Sequence, residues 1–368
     1  MDFDKLSRRT VLKSAAATGL VTALGARAAN AQAPLVVGAI YVGPRDDFGY
    51  NQAHALGIAE LKKVRGVKVV EEENVPETIA VQKTMESMIQ LDGAKLIVAT
   101  SFGYFDPHML AMAAKVPQVE FRHAVGLWDE KKHPKNAGSY FGYLDQAHYV
   151  NGVAAGLVTK TKKIGFIAAK PIPSLLRNIN AVLVGLRKNV PDATVTVIFT
   201  GDWSLPVREA EATNALIDAG CDVITCHVDS PKVVVQTAER RGAMVLGHNA
   251  SQASLAPRGF ITGAEYKWET IYQGFAGNLA KGEKLPNWVR GGYDLDFVRN
   301  TAYGAAATEP ARRAADAAIA DMKAGKPIFV GPFKDNKGAV VGTKTYDNYA
   351  PELEGMNYLI EGVVGSTS

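Results

Sequence analysis

The chain has 368 residues, 47% of them apolar and 21% charged, and carries a formal net charge of +4. The length is a prior for two domains, and the composition excludes disordered, collagen-like and coiled-coil classes. The charge is too small and too dispersed for a nucleic-acid reader. No run of 18 apolar residues reads as a conventional membrane span, and two cysteines exclude a disulfide-dense scaffold.

The first 31 residues read as an export address. Ser7-Arg8-Arg9-Thr10-Val11-Leu12-Lys13 is a twin-arginine run, an Ala-rich apolar stretch follows from Ser14 to Gly25, and Ala29-Asn30-Ala31 has the small-x-small form of a cleavage site. Twin-arginine signals are receptor-read addresses that send folded proteins across a bacterial inner membrane, so the expected location is the periplasm. No Cys at the cleavage site marks a lipid anchor. The segment holds five basic and two acidic residues, so its removal leaves 337 residues with a net charge of +1. That surface gives no argument for an anionic polymer partner.

Beyond the signal, strands and helices alternate. Leu35 to Tyr41 is a strand, Gln52 to Val64 a helix, Val67 to Glu71 a strand and Thr78 to Leu91 a helix. Lys95 to Thr100 is a strand, Pro107 to Lys115 a helix and Val119 to Arg122 a strand. After a helix from Ala147 to Lys160 the rhythm restarts. Lys163 to Ala168, Thr194 to Phe199, Val223 to Val228 and Ala243 to Gly247 are strands. Helices from Ser174 to Lys188, Arg208 to Ala219 and Pro231 to Arg241 separate them. Past Gly263 the pattern is less regular, with helices near Trp268 to Lys281 and Pro310 to Gly325, strand-like pieces near Asn287 to Phe297, and a hairpin within Pro327 to Asp347. This is α/β, as two similar halves in tandem, each with a parallel sheet covered on both faces. Cys221 and Cys226 bracket a strand that separates their Cα atoms by about 16 Å, beyond the roughly 7 Å reach of a disulfide. They are expected to be separate buried thiols.

Open parallel sheets bind ligands beyond the carboxyl ends of their strands. Two such halves side by side make a cleft. Its expected walls are Pro44 to Asn51, Ser101 to Asp106, Lys170 to Pro173, Gly201 to Trp203, His227 to Ser230 and His248 to Ser251. Phosphate-loop, dinucleotide, zincin and nucleophile-elbow motifs are all absent. The seven histidines are scattered, and only His227 and His248 are placed to meet at a cleft mouth. No metal or cofactor is expected, and the chain is not read as an enzyme.

Asp47-Phe48-Gly49-Tyr50-Asn51-Gln52 resembles the D-x-x-aromatic-N segment that follows the first strand in the basic-membrane-protein (BMP) family, the substrate-binding proteins of ABC importers. Thr100 to Tyr104, Lys163 to Ile167, Gly201-Asp202-Trp203 and Ala219 to Ile224 fit in order, and His227-Val228-Asp229-Ser230-Pro231 resembles a subgroup. The resemblance implies a type I periplasmic-binding-protein fold, two Rossmann-like lobes with a ligand cleft between them. It places 34–145 with about 262–300 in one lobe, and 146–261 with about 301–368 in the other. In purine-binding members two aromatic rings sandwich the base, and the matching positions are Tyr50 and Trp203. Asn51 and Asp47 are implied to hold polar edges and Asp229 to take ring N–H or amine groups. Phe102 and Tyr104 are implied pocket walls, and Asp145 and Gln146 lie near the hinge. Ser251 stands where nucleoside-binding members carry an Asp for sugar hydroxyls, which shifts the expected ligand toward a free nucleobase or another flat heterocycle. The implied partners are an inner-membrane permease and its ATPase, with the protein a monomer. A sugar ligand in the same fold is the nearest alternative. A periplasmic nucleoside-processing enzyme and a sensory binding module are further ones.

Overall fold

A computed structural model describes residues 33–125 and 128–367. The predicted signal segment, residues 1–31, lies outside the described residues.

The first lobe is built from β1 (Leu35–Ile40), α1 (Tyr50–Leu61), β2 (Val67–Glu72), α2 (Ile79–Gln90), β3 (Leu96–Ala99), α3 (Leu110–Lys115), β4 (Glu120–Ala124) and β5 (Ala137–Gly142). After α4 (Asp145–Gly156) the second lobe runs β6 (Lys163–Ala168), α5 (Pro173–Arg187), β7 (Thr194–Phe199), α6 (Pro206–Asp218), β8 (Val223–His227), α7 (Lys232–Arg240), β9 (Met244–Asn249) and β10 (Phe260–Tyr266). The chain then revisits both lobes through α8 (Trp268–Ala280), β11 (Trp288–Gly291), β12 (Val298–Asn300) and α9 (Glu309–Lys323). It closes with the hairpin β13 (Phe333–Lys334) and β14 (Val340–Gly342), then α10 (Pro351–Glu354) and β15 (Val363–Val364).

One sheet has the order β11-β5-β4-β3-β1-β2, with every pair parallel. The other has the order β12-β10-β9-β8-β6-β7-β15, parallel except for β12 against β10. Such sheets bury both faces, so their central strands are continuous apolar runs rather than alternating ones. Val37, Ala39, Ile40 and all four residues of β3 are buried accordingly. In each lobe the strand order reverses beside the first strand, at β1/β3 and at β6/β8. Those reversals open the crevices where ligands bind in sheets of this kind.

Three crossovers join the lobes, at 142–145, 266–268 and 291–298. They shift the expected division. Phe260–Tyr266 and Val298–Asn300 both belong to the second sheet, although 262–300 was expected in the first lobe. Of that stretch, α8 packs on α1, and β11 extends the first sheet. β5 was not expected at all, because Ala-Gly-Ser-Tyr-Phe-Gly lacks the β-branched run that announced its neighbours.

α4 is buried along its whole length, and it packs on α5 and α9. Glycines allow the approach. A Cβ on Gly152 would lie 2.1 Å from Val182 O, and one on Gly185 would lie 2.1 Å from Tyr149 O. Both obstacles are backbone and cannot swing aside. Gly185→Ala is therefore expected to destabilise the protein by about 1–3 kcal/mol, as overpacked cores do. A denaturant midpoint unchanged from the parent would contradict this. Cys221 and Cys226 are both buried and free, as expected.

Candidate functional site

A cavity of about 640 Å³ lies between the lobes. Each of the six segments expected to follow a strand into the cleft contributes to it. Tyr50, Ser101 and Phe102 come from the first lobe, and Ile172, Pro173, Asp202, Trp203, His227, Asp229 and Asn249 from the second.

Tyr50 opens α1. Its hydroxyl donates to the carbonyl of Thr100 at the end of β3, and its ring meets His54 edge-on at 4.8 Å. These contacts fix the ring in the cavity wall. Trp203 sits on the loop after β7. Its backbone N donates to Asp202 Oδ1 at 2.9 Å, and its carbonyl accepts from Asp229 N at 2.8 Å. Phe102 forms the rim and is 59% exposed.

Four of the expected ligand contacts stand elsewhere. Asp47 accepts from the backbone N of Gly49 (2.8 Å), Asn51 (2.9 Å) and Gln52 (2.9 Å), and from Asn51 Nδ2 at 2.9 Å. It closes the N-terminus of α1, where orphan N–H groups and the helix dipole favour a carboxylate. Asn51 completes that turn by accepting from Gly43 N at 3.2 Å. Both residues are buried and neither lines the cavity. Tyr104 is fully buried, with its hydroxyl donating to Val75 O. Ser251 accepts from Ala253 N at 3.4 Å and is outside the wall. The wall from that segment is Asn249, whose Oδ1 is buried without a hydrogen-bond partner.

The stacking end of the cavity is acidic. Glu77 lines it and accepts from Ser101 Oγ (2.5 Å) and Gly103 N (2.7 Å), both through Oε1. Burial raises the Asp229 carboxyl to about 8, helped by the charges of Asp47, Glu77, Glu209 and Asp202. Asp229 is thus protonated at neutral pH and can both donate and accept. Asn178 Nδ2 donates to His227 Nδ1 at 2.8 Å, which leaves the proton of the neutral imidazole on Nε2. His227 and His248 do meet, with ring centroids 4.2 Å apart. Burial holds both well below the usual imidazole range.

With its cleft closed the folded chain keeps a proton on Asp229 that an unfolded chain has lost, so between about pH 4 and pH 8 this carboxyl binds more proton in the folded state. The buried imidazoles of His227 and His248 act in the opposite sense, but only up to the ordinary imidazole range. The Asp229 contribution to stability therefore falls as pH rises to about 8 and levels off above it, and from about pH 7 upward the histidines no longer offset it. Thermal stability is therefore expected to fall from pH 7 to pH 9, and Asp229→Asn to flatten the fall. Scanning calorimetry across that range checks this; parallel profiles for the two proteins would contradict it.

The hinge end has a different chemistry that no sequence motif announced. Arg177 pairs with Asp145 at 2.7 Å, also donates to Asn348 O at 3.1 Å, and lies over the Tyr143 ring at 4.9 Å. Arg290 pairs with Glu354, which also accepts from the Tyr143 hydroxyl at 2.5 Å, and it stacks on Trp288 at 3.8 Å. Both pairs line the cavity. Gln146, the other residue expected near the hinge, accepts from Tyr293 N at 2.9 Å. Among the described residues no group of three or more His, Cys, Asp or Glu is placed to hold a metal ion, and no helix is long and apolar enough to cross a membrane.

Residues 35–296 match the Bmp family, described as PnrA-like ABC transporter substrate-binding proteins. A purine-binding protein of Brucella abortus is 32% identical over 91% of this chain and 95% of its own length. A putative ABC transporter glucose-binding protein of Haloferax volcanii is 37% identical over 52% of this chain and 47% of its own. Among solved structures, an ABC transporter solute-binding protein of Conexibacter woesei superposes with a TM-score of 0.67 at 20% identity, covering 79% of this chain and 97% of that one. That last likeness concerns the fold.

Proposed function

The chain belongs to the Bmp family of ABC-transporter substrate-binding proteins, and from that premise we propose that it captures a purine-like ligand, a nucleobase or nucleoside, by closing its lobes. In this reading it is exported by the twin-arginine route, and it delivers the ligand to an inner-membrane permease and its ATPase as a single chain, making and breaking no bond. The observation that carries the ligand class is one aromatic ring from each lobe, Tyr50 and Trp203, in the wall of a single cavity. A purine is a flat, polarisable plate, and rings on its two faces gain contact area without demanding hydrogen-bond direction. Because the rings belong to different lobes, stacking on both favours the closed form, and a ligand shifts an equilibrium only through such differential contact. Protonated Asp229 and neutral His227 suit the mixed donors and acceptors of a purine edge. The purine-binding relative in Brucella supports the same choice.

A second reading rests on the hinge end. Asp145, Arg177, Arg290 and Glu354 are the charged groups that sugar hydroxyls need, and they favour a sugar as the alternative ligand. A thermal-shift panel on mature protein, refolded to strip carried ligand, separates the two. It holds adenine, guanine, hypoxanthine, their nucleosides, riboflavin, hexoses and amino acids. A ligand at 100 times its Kd adds about 2.7 kcal/mol of stability. Shifts with purines are expected; shifts with sugars or amino acids alone would overturn the purine reading.

A further inference from the structure

The loops facing each other across the cleft hold one another directly. Tyr50 N donates to Asp229 O at 2.8 Å, Ser230 Oγ donates to Asp47 O at 2.9 Å, and Gln252 Nε2 donates to Phe48 O. Gln252 is fully buried and outside the cavity wall. Its Oε1 accepts from His248 N at 2.9 Å, and its Nε2 donates to His248 O at 2.8 Å. Those two bonds lie within the second lobe and orient the amide. The other N–H is the one that crosses to the first lobe. The acceptor is set in advance too. Phe48 sits at φ +58°, and its N donates to Gln52 Oε1 at 2.9 Å. The left-handed turn and this bond are internal to the first lobe.

Gly49, the next residue, supplies the clearance. The three heavy atoms nearest a Cβ built there all belong to the second lobe, with Asp229 O at 2.0 Å and Pro231 Cδ at 2.5 Å. An added methyl is a wedge against closure.

We propose that Gln252 and Gly49 set the ligand affinity of this protein without touching the ligand, Gln252 as the donor that latches the closed cleft and Gly49 as the gap that lets the latch meet. The apparent Kd of a ligand is its intrinsic Kd divided by the fraction of protein in the competent form, so a residue that shifts the closed fraction shifts affinity equally. The proposal rests on the cleft being the ligand site, and its test works without a ligand.

Donor and acceptor dyes are placed on Lys83→Cys and Glu211→Cys, exposed positions on α2 and α6, and the interlobe distance is read by single-molecule energy transfer. Gln252→Glu keeps the acceptor for His248 N and turns the latch donor into an acceptor facing a carbonyl. Gly49→Ala tests the same step from the other lobe. Both variants are expected to lengthen the mean interlobe distance in unliganded protein and to weaken adenine about tenfold or more, through faster release. A distance distribution matching the parent in both variants overturns the latch, even if adenine weakens. A lengthened distance with no purine bound by any protein upholds the latch and removes the purine reading instead.

Discussion

Trp203→Ala is expected to weaken purine binding by about two orders of magnitude. The indole is half-buried in the cavity wall, and its backbone is tied to Asp202 and to the Asp229 loop. The truncation therefore removes a ring and leaves its mounting. A Trp buries about 150–250 Å². One face given up to water, at roughly 25 cal/mol per Å², together with the stacking term, comes to about 2–3 kcal/mol, and each 1.4 kcal/mol is tenfold. Trp203→Phe keeps a plate in place and should recover most of the loss. Tyr50→Ala should cost a similar amount from the other lobe, whereas Tyr50→Phe gives up only the bond to Thr100 O. Isothermal titration with adenine decides the matter. A loss under tenfold for Trp203→Ala would place the base elsewhere in the cavity and leave the indole as a lobe-packing residue near His227.

The repeating strands were legible because a doubly covered parallel sheet demands runs of apolar and β-branched residues, and β1, β3, β6 and β8 are largely built from them. β5 and β10, with their Gly, Ser and Glu residues, form because their neighbours pair with them and cover them. Placing the cleft needed only the rule that ligands sit beyond carboxyl strand ends. Individual roles were harder. Asp47 and Asn51 stand beside the ligand wall in sequence, but a carboxylate three residues before a helix is also what its N–H groups require, and sequence spacing does not separate the two uses. Ser251 marked the right turn, yet the side chain in the wall is Asn249, at φ +67°. Arg177, Arg290, Glu354 and Tyr266, which also lines the cavity, carried no local signal. α5, two crossovers and the C-terminal segment bring them together, and only tertiary structure makes them neighbours.

Asp145→Ala is expected to lower stability by about 3–5 kcal/mol, the cost of leaving a buried charge without its partner. Asp145 is 2% exposed and Arg177 3%. With the carboxylate gone, the guanidinium keeps only Asn348 O and the Tyr143 ring. Removing both charges together, as Asp145→Leu with Arg177→Met, should restore most of the loss, because a buried pair repays little more than its own desolvation. Chemical denaturation of the three proteins tests this, and a single variant no less stable than the double would overturn it. The double variant also locates the ligand. It leaves Tyr50, Trp203 and Asp229 untouched, so a ligand held at the stacking end binds it as tightly as the parent. A ligand whose polar groups reach the hinge loses a charge-assisted contact on either side and binds at least tenfold more weakly. Measured with a base and with a hexose, that one protein distinguishes a cavity used at its aromatic end from one filled along its length.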